Sequence, residues 1–189
     1  DAANDYVTAM QAVYEVASYI TVNISSPNTH NLRALQEEDM LRSLLGSLHL
    51  AREALSDKHG VRKPLFLKIA PDLNQNDLKL IAELLLEFKI DAIIATNTTI
   101  AREAVQGLEF GDELGGLSGA PVRNISTEVV QSLHQHLGNA VPIIGVGGIL
   151  SGEDALEKKS AGASLVQIYS GLIYRGPKLI AECAAVLKK

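Results

Sequence analysis

The chain has 189 residues, 47% of them hydrophobic, and a formal net charge of −5. That is one domain's worth of sequence with ample apolar material for a packed core. The acidic balance argues against a nucleic-acid binder, the single cysteine (Cys183) rules out a disulfide framework or a cysteine-rich metal site, and no apolar run approaches the roughly 18 residues of a membrane span.

In chain order, an apolar stripe at helical spacing comes first: Tyr6, Met10, Val13, Tyr14 and Ala17. Residues 19–24 then predict a strand. Leu41, Leu44, Leu45, Leu48, Ala51 and Leu55 predict a second helix, 64–70 (PLFLKIA) a second strand, and Leu78, Ile81, Ala82, Leu85 and Phe88 a third helix. Residues 90–95 (IDAIIA) form the third predicted strand. The irregular stretch 105–124 follows, with Gly107, Gly111, Gly115, Gly116 and Gly119, and is expected to be an ordered active-site loop. Ser126 is a candidate N-cap for a helix carrying Val129, Val130 and Leu133. Strand 141–146 (VPIIGV) precedes a helix opened by a capping-box-like Ser151 and Asp154 and ended by Gly162. Strand 164–168 (SLVQI) is the last, and Pro177 is expected at the start of the final helix.

The strand segments are rich in Ile, Val and Leu and barely alternate in polarity, which suits parallel strands buried on both faces. Repeated strand-then-helix units predict an α/β fold with a parallel sheet and outer helices. A closed eight-stranded barrel needs roughly 250 residues, so about five units fit here, and the chain reads as a partial (β/α)8 barrel.

Polar residues gather at the C-terminal ends of these strands, where barrel enzymes place their active sites. Asn23, Ser25, Ser26, Asn28 and Thr29 follow the first strand, Lys68 lies in the second, and Thr96, Asn97, Thr98 and Thr99 follow the third. The glycines Gly145, Gly147 and Gly148 end the fourth, and Tyr169, Ser170 and Gly171 end the fifth. Glycine pairs at such ends either turn the chain or let backbone amides approach a phosphate; their place after the last two strands favours the phosphate. Lys68 either snorkels out of the barrel mouth or is held against an anionic group such as a reduced flavin. The asparagines offer neutral donors and acceptors suited to an uncharged, imide-rich ring edge. The five histidines have no metal-ligand spacing, so no metal is expected; His134 and His136 are expected on the surface and Cys183 in the core.

These residues belong to a recognisable set. VNISSPNTHNLRALQ at 22–36 closely resembles the signature around the catalytic base of dihydroorotate dehydrogenases, in the class that carries serine and passes electrons to a quinone. LKIAPDL, IIATNTT, GGLSGAPV, PIIGVGGI and GASLVQIYSG match in the same order, over essentially the whole chain. The resemblance implies FMN-dependent oxidation of dihydroorotate to orotate in pyrimidine synthesis. Ser26 would take the C5 proton while a hydride leaves C6 for the flavin. Asn23 would touch flavin and substrate; Asn28, Asn97 and Thr98 would hold the pyrimidine; Lys68, Thr96, Gly119, Gly148, Tyr169 and Ser170 would bind FMN, the last three near its ribityl phosphate. Where the family has Pro-Gly after PNT, this chain has His30-Asn31; Asn31 tolerates a left-handed backbone, and His30 would alter the lid over the substrate. The family's earlier strands and its N-terminal helical pair, which serve quinone contact and peripheral membrane association, find no counterpart, so residues 1–189 are expected to be the C-terminal portion of the barrel. Two rivals stand beside this expectation: another FMN-dependent pyrimidine-reducing barrel enzyme, which SSPN argues against because those enzymes typically use cysteine, and a non-catalytic flavin- or phosphate-binding fragment.

Overall fold

The computed structural model describes residues 2–29 and 31–188. Five strands alternate with helices: β1 (Ile20–Asn23), β2 (Leu65–Ile69), β3 (Ala92–Ala95), β4 (Ile143–Val146) and β5 (Leu165–Gln167). They form one sheet in the order β1-β2-β3-β4-β5, every pair parallel. Each lies within its predicted segment and is shorter by residues at the ends. The helices are α1 (Ala2–Val13), α2 (Glu38–His59), α3 (Gln75–Glu87), α4 (Arg123–Leu137), α5 (Gly152–Ser160), α6 (Ser170–Arg175) and α7 (Lys178–Leu187).

Alternation along each strand sorts the side chains onto two faces. Val22, Leu65, Leu67, Ile69, Ile93, Ala95 and Ile143 join the large core with the helices. Ala92, Ile94 and Ile144, with Phe66 and Val146 against them, form a separate cluster on the other face. Lys68, two residues after Phe66, shares that second face, and the register sets it between Asn23 and Ile94. One inward-facing row therefore starts apolar and becomes polar at the C-terminal ends of the strands. The opposite end of the sheet is pinned by Asp91, which accepts from the Leu65 amide at 2.8 Å and pairs with Arg52 at 2.8 Å and Arg62 at 2.6 Å.

Several local expectations are corrected. Ser126 is not an N-cap: a 3-10 turn over Ala120–Val122 runs straight into α4, which leaves Ser126 inside the helix and fully buried. The predicted loop thus ends in helix before residue 124. Ser151 accepts from the Asp154 amide as expected, but the Asp154 carboxylate goes to the Leu150 amide and Arg123. The first stripe breaks at the end of α1: Val13 is exposed, while Tyr14 is buried with its hydroxyl on the Val61 carbonyl. His134 is half-buried, not a surface residue, because its ring fills the space a side chain on Gly162 would need; His136 is exposed. Cys183 is buried as expected, and Asn31 adopts φ 57°, the left-handed backbone foreseen for it. The expectation for His30 lies outside the described residues. Helix α6 was not anticipated, since its six residues are too few to show a stripe.

Candidate active site

A cleft of about 450 Å³ opens at the C-terminal ends of the strands, within the usual range of small-molecule sites. Lys68, Thr96, Asn97, Thr98, Gly119, Gly148, Tyr169 and Ser170 all line it. Asn23, Ser26 and Asn28 stand beside it on the β1 side, linked through Asn97 and the glycine loop.

The link is a hydrogen-bond network. The Ser25 hydroxyl donates to Asn23 Oδ1 at 2.7 Å, and Asn97 Nδ2 donates to Ser25 Oγ at 3.0 Å and to Asn23 Oδ1 at 3.3 Å. The Thr98 amide closes onto Asn97 Oδ1 at 2.8 Å, which fixes which end of the Asn97 amide faces Asn23. Ser25 is fully buried, and its hydroxyl, bonded to both Asn23 and Asn97, makes it a support of the site. Ser26 is half-buried, and its Oγ accepts from the Asn28 amide at 3.3 Å, an arrangement that holds the Ser-Pro-Asn turn.

The glycine loop packs over this turn. A Cβ on Gly115 would lie 3.1 Å from Asn28 Oδ1, and one on Gly116 would lie 3.0 Å from the Pro27 ring and overlap Thr98 Oγ1. Glycine is required at Gly116 because no side chain fits between the two turns. The loop is tethered by an isolated bridge between Thr99 and Leu117 and by Arg102, which donates to the Glu113 carbonyl at 3.1 Å and to the Gly115 carbonyl.

At the other end of the cleft, Gly147 (φ 125°) and Gly148 (φ 69°) pass against the start of α4. A Cβ on Gly148 would meet the Arg123 backbone, 2.6 Å from its Cα. Bare backbone therefore lines this end of the cleft, which Ser170 also lines, its hydroxyl donating to Ser118 Oγ at 2.9 Å. Ser118 and Gln167 also line the cleft and were not singled out from sequence, since a lone serine or glutamine carries no pattern.

Lys68 is half-buried, and its ammonium makes no hydrogen bond or ion pair among the described residues; burial pushes its pKa down. A cation left without an anion on a cleft wall suits an anionic ligand. The lining has the chemistry FMN needs: backbone turned bare by two glycines, which a phosphate would suit, apolar Val146 and Ile149 for a ring system, and the cationic Lys68. No group of acidic, histidine or cysteine side chains able to hold a metal occurs among the described residues.

The model of the family described as dihydroorotate dehydrogenase matches residues 1–189. The quinone-type dihydroorotate dehydrogenase of Polynucleobacter necessarius is 70% identical over 189 residues, 100% of this chain and 55% of the relative. The Burkholderia multivorans protein of the same name is 57% identical over 188 residues, 100% of this chain and 54% of the relative. Among solved structures, ligand-free dihydroorotate dehydrogenase of Eimeria tenella matches with a TM-score of 0.91 at 38% identity, covering 99% of this chain and 55% of that one. A structure of the Eimeria tenella enzyme in complex with ferulenol gives a TM-score of 0.90 at 37% identity. The chain thus spans about half the length of the relatives it matches, 55% for the first of them, and its five strands are part of their barrel.

Proposed function

This chain belongs to the dihydroorotate dehydrogenase family, and from that premise we propose that the protein carrying it oxidises dihydroorotate to orotate with FMN as cofactor and a quinone as final acceptor. The observation that carries the proposal is the continuity of the Asn23–Ser25–Asn97 network with the cleft that Lys68 and Gly148 line. A neutral amide surface and a flavin-sized cleft share one wall. Asn97 belongs to both.

In this reading Asn23, Asn28, Asn97 and Thr98 hold the pyrimidine by neutral hydrogen bonds. Ser26 is the base that removes the C5 proton. Bound FMN would supply the two-electron acceptor for the hydride that leaves C6. Lys68 and Thr96 would contact the flavin ring region, and Gly119, Gly148, Tyr169 and Ser170 would bind FMN, the last three near its ribityl phosphate. The protein's work is to align donor, base and acceptor and to keep water away. A peripheral membrane location belongs to the same proposal, because the acceptor is a quinone; no described helix is long and apolar enough to cross a membrane.

One observation favours a second reading for this chain alone. Asn23 and Asn28 are exposed, and the outer edge of β1 has no pairing strand among the described residues, so the pyrimidine side is open. By itself the chain would then act as a weak flavin- or phosphate-binding module. A single assay separates the two: visible flavin absorbance and its bleaching by dihydroorotate. Bleaching with release of orotate supports the enzyme; flavin that stays oxidised in the intact protein refutes it.

A further inference from the structure

Lys158 is fully buried on α5, yet its ammonium touches no carboxylate among the described residues. It donates to the Arg123 carbonyl at 2.8 Å, to Ser126 Oγ and to Thr127 Oγ1. All three acceptors lie in the first turn and a half of α4. Three donors meeting three acceptors describe the protonated amine, because a neutral amine would turn its lone pair on one of them. The charged groups around it are committed elsewhere. Asp154 pairs with Arg123 at 2.6 Å and Glu157 lies 3.8 Å from Arg123 Nε. On α7, Glu182 takes the Gly152 amide and Arg175, and Cys183 faces the Ser151 carbonyl. His134 packs on Gly162 at the far end of α4, and β4 and β5 bring no ionisable side chain.

What the ammonium holds is the floor of the cleft. Ser126 Oγ reaches the Gly147 carbonyl at 3.3 Å, and Gly148 lies directly on the Arg123 backbone whose carbonyl Lys158 binds. The aliphatic stem packs on Gly145, where a Cβ would come within 3.1 Å of Lys158 Cβ. The cation therefore lies one residue beneath the bare glycine backbone.

We propose that Lys158 is a positioning residue for the anion-binding end of the cleft: its buried ammonium fixes the Gly147–Gly148 turn on the start of α4 and supplies the positive charge beneath a bound phosphate monoester. This rests on the reading of that end as the flavin phosphate site. Burial, the nearby Glu157 and Asp154 carboxylates and the Arg123 charge together leave the amine titrating at about 8. A phosphate bound above it raises that value. Phosphate affinity is then full below the free-state pKa and is lost as pH rises through the bound-state pKa.

The test uses the intact protein stripped of flavin and compares affinities for FMN and riboflavin by fluorescence quenching between about pH 7 and about pH 9.5. The phosphate of FMN, with a second pKa of about 6, stays dianionic throughout. The expected preference for FMN over riboflavin falls about tenfold across this range, the scale of one charge interaction in a protein interior. Lys158→Met lowers the preference at neutral pH and makes it independent of pH, with riboflavin affinity little changed; Cys183→Ser keeps the wild-type profile. A wild-type preference constant with pH overturns the role of Lys158, whether or not the Lys158→Met variant folds. A wild-type protein that binds both flavins equally at neutral pH overturns the flavin-phosphate reading itself.

Discussion

Arg33 and Asp72 form an ion pair of 2.7 Å that ties the turns after the first three strands together. Arg33 also donates from Nε to the Ser25 carbonyl at 3.1 Å and from Nη2 to the Thr98 carbonyl at 3.0 Å. Asp72 in turn accepts from Thr99 Oγ1 and from the Ile100 amide at 3.2 Å. The residues next to both carbonyls, Ser26 and Asn97, are the ones on which the proposed chemistry depends. Arg33→Ala is expected to cost about 2–3 kcal/mol in urea unfolding, since it strands a mostly buried carboxylate and two carbonyls. Arg33→Lys should recover only part, because one ammonium cannot reach three acceptors in a planar fork. Loss below about 0.5 kcal/mol would show that the clamp is incidental.

Removal of the proposed base should be a kinetic effect. Ser26→Ala in the intact protein is expected to slow flavin reduction by dihydroorotate on the order of 10²–10⁴-fold, with flavin content and orotate affinity little changed. Rapid-mixing absorbance measures it directly. Ser26→Cys should retain partial activity, since a thiol can take a proton in the same place.

Ser25→Ala should behave differently from Ser26→Ala. Its buried hydroxyl holds Asn23 and Asn97, so the expected losses are about 1–3 kcal/mol of stability and weaker orotate binding. Titration of orotate against flavin absorbance checks this. An unaffected orotate affinity would detach Ser25 from the site.

Lys68→Met removes a cation that burial already strains. An anionic reduced flavin beside it loses its counter-charge, so the midpoint potential should fall by about 30 mV, equivalent to about 1.4 kcal/mol for two electrons. Spectroelectrochemical titration gives the value. An unchanged potential places Lys68 away from the flavin.

Gly148→Ala combines a φ of 69° with a Cβ driven into the Arg123 backbone. The left-handed conformation alone costs about 1–2 kcal/mol, and the clash should raise the loss further and empty the flavin site. Thermal unfolding and flavin content report the two effects.

Asp154 shapes the acid limit of stability. Burial alone would raise its pKa, but the Leu150 amide and Arg123 outweigh burial and hold it below the usual carboxylate range. Its contribution is therefore present above the unfolded pKa of about 3.9 and is lost as pH falls through the lower folded value. Asp154→Asn should flatten the acid branch of the stability curve and lower the plateau at neutral pH.

The parallel sheet was legible in the sequence because its signal is local. Leu65, Leu67 and Ile69 had to be apolar for the helices, and Phe66 and Ile94 for the inner face. The cleft's polar set was legible for the same reason: parallel strands bring all their C-terminal ends to one edge, so Lys68, Asn97, Gly148 and Ser170 converge by topology alone, with Asn23 beside them. The tertiary structure decided what depends on contacts between distant segments. Ser25 supports Asn97 across 72 positions, Arg33 meets Asp72 across 39, and Lys158 reaches α4 across 31 to 35. A serine, an arginine or a lysine on a helix carries no pattern that announces such a partner. Its role is set by where the chain returns, and burial then fixes the cost of leaving it unpaired.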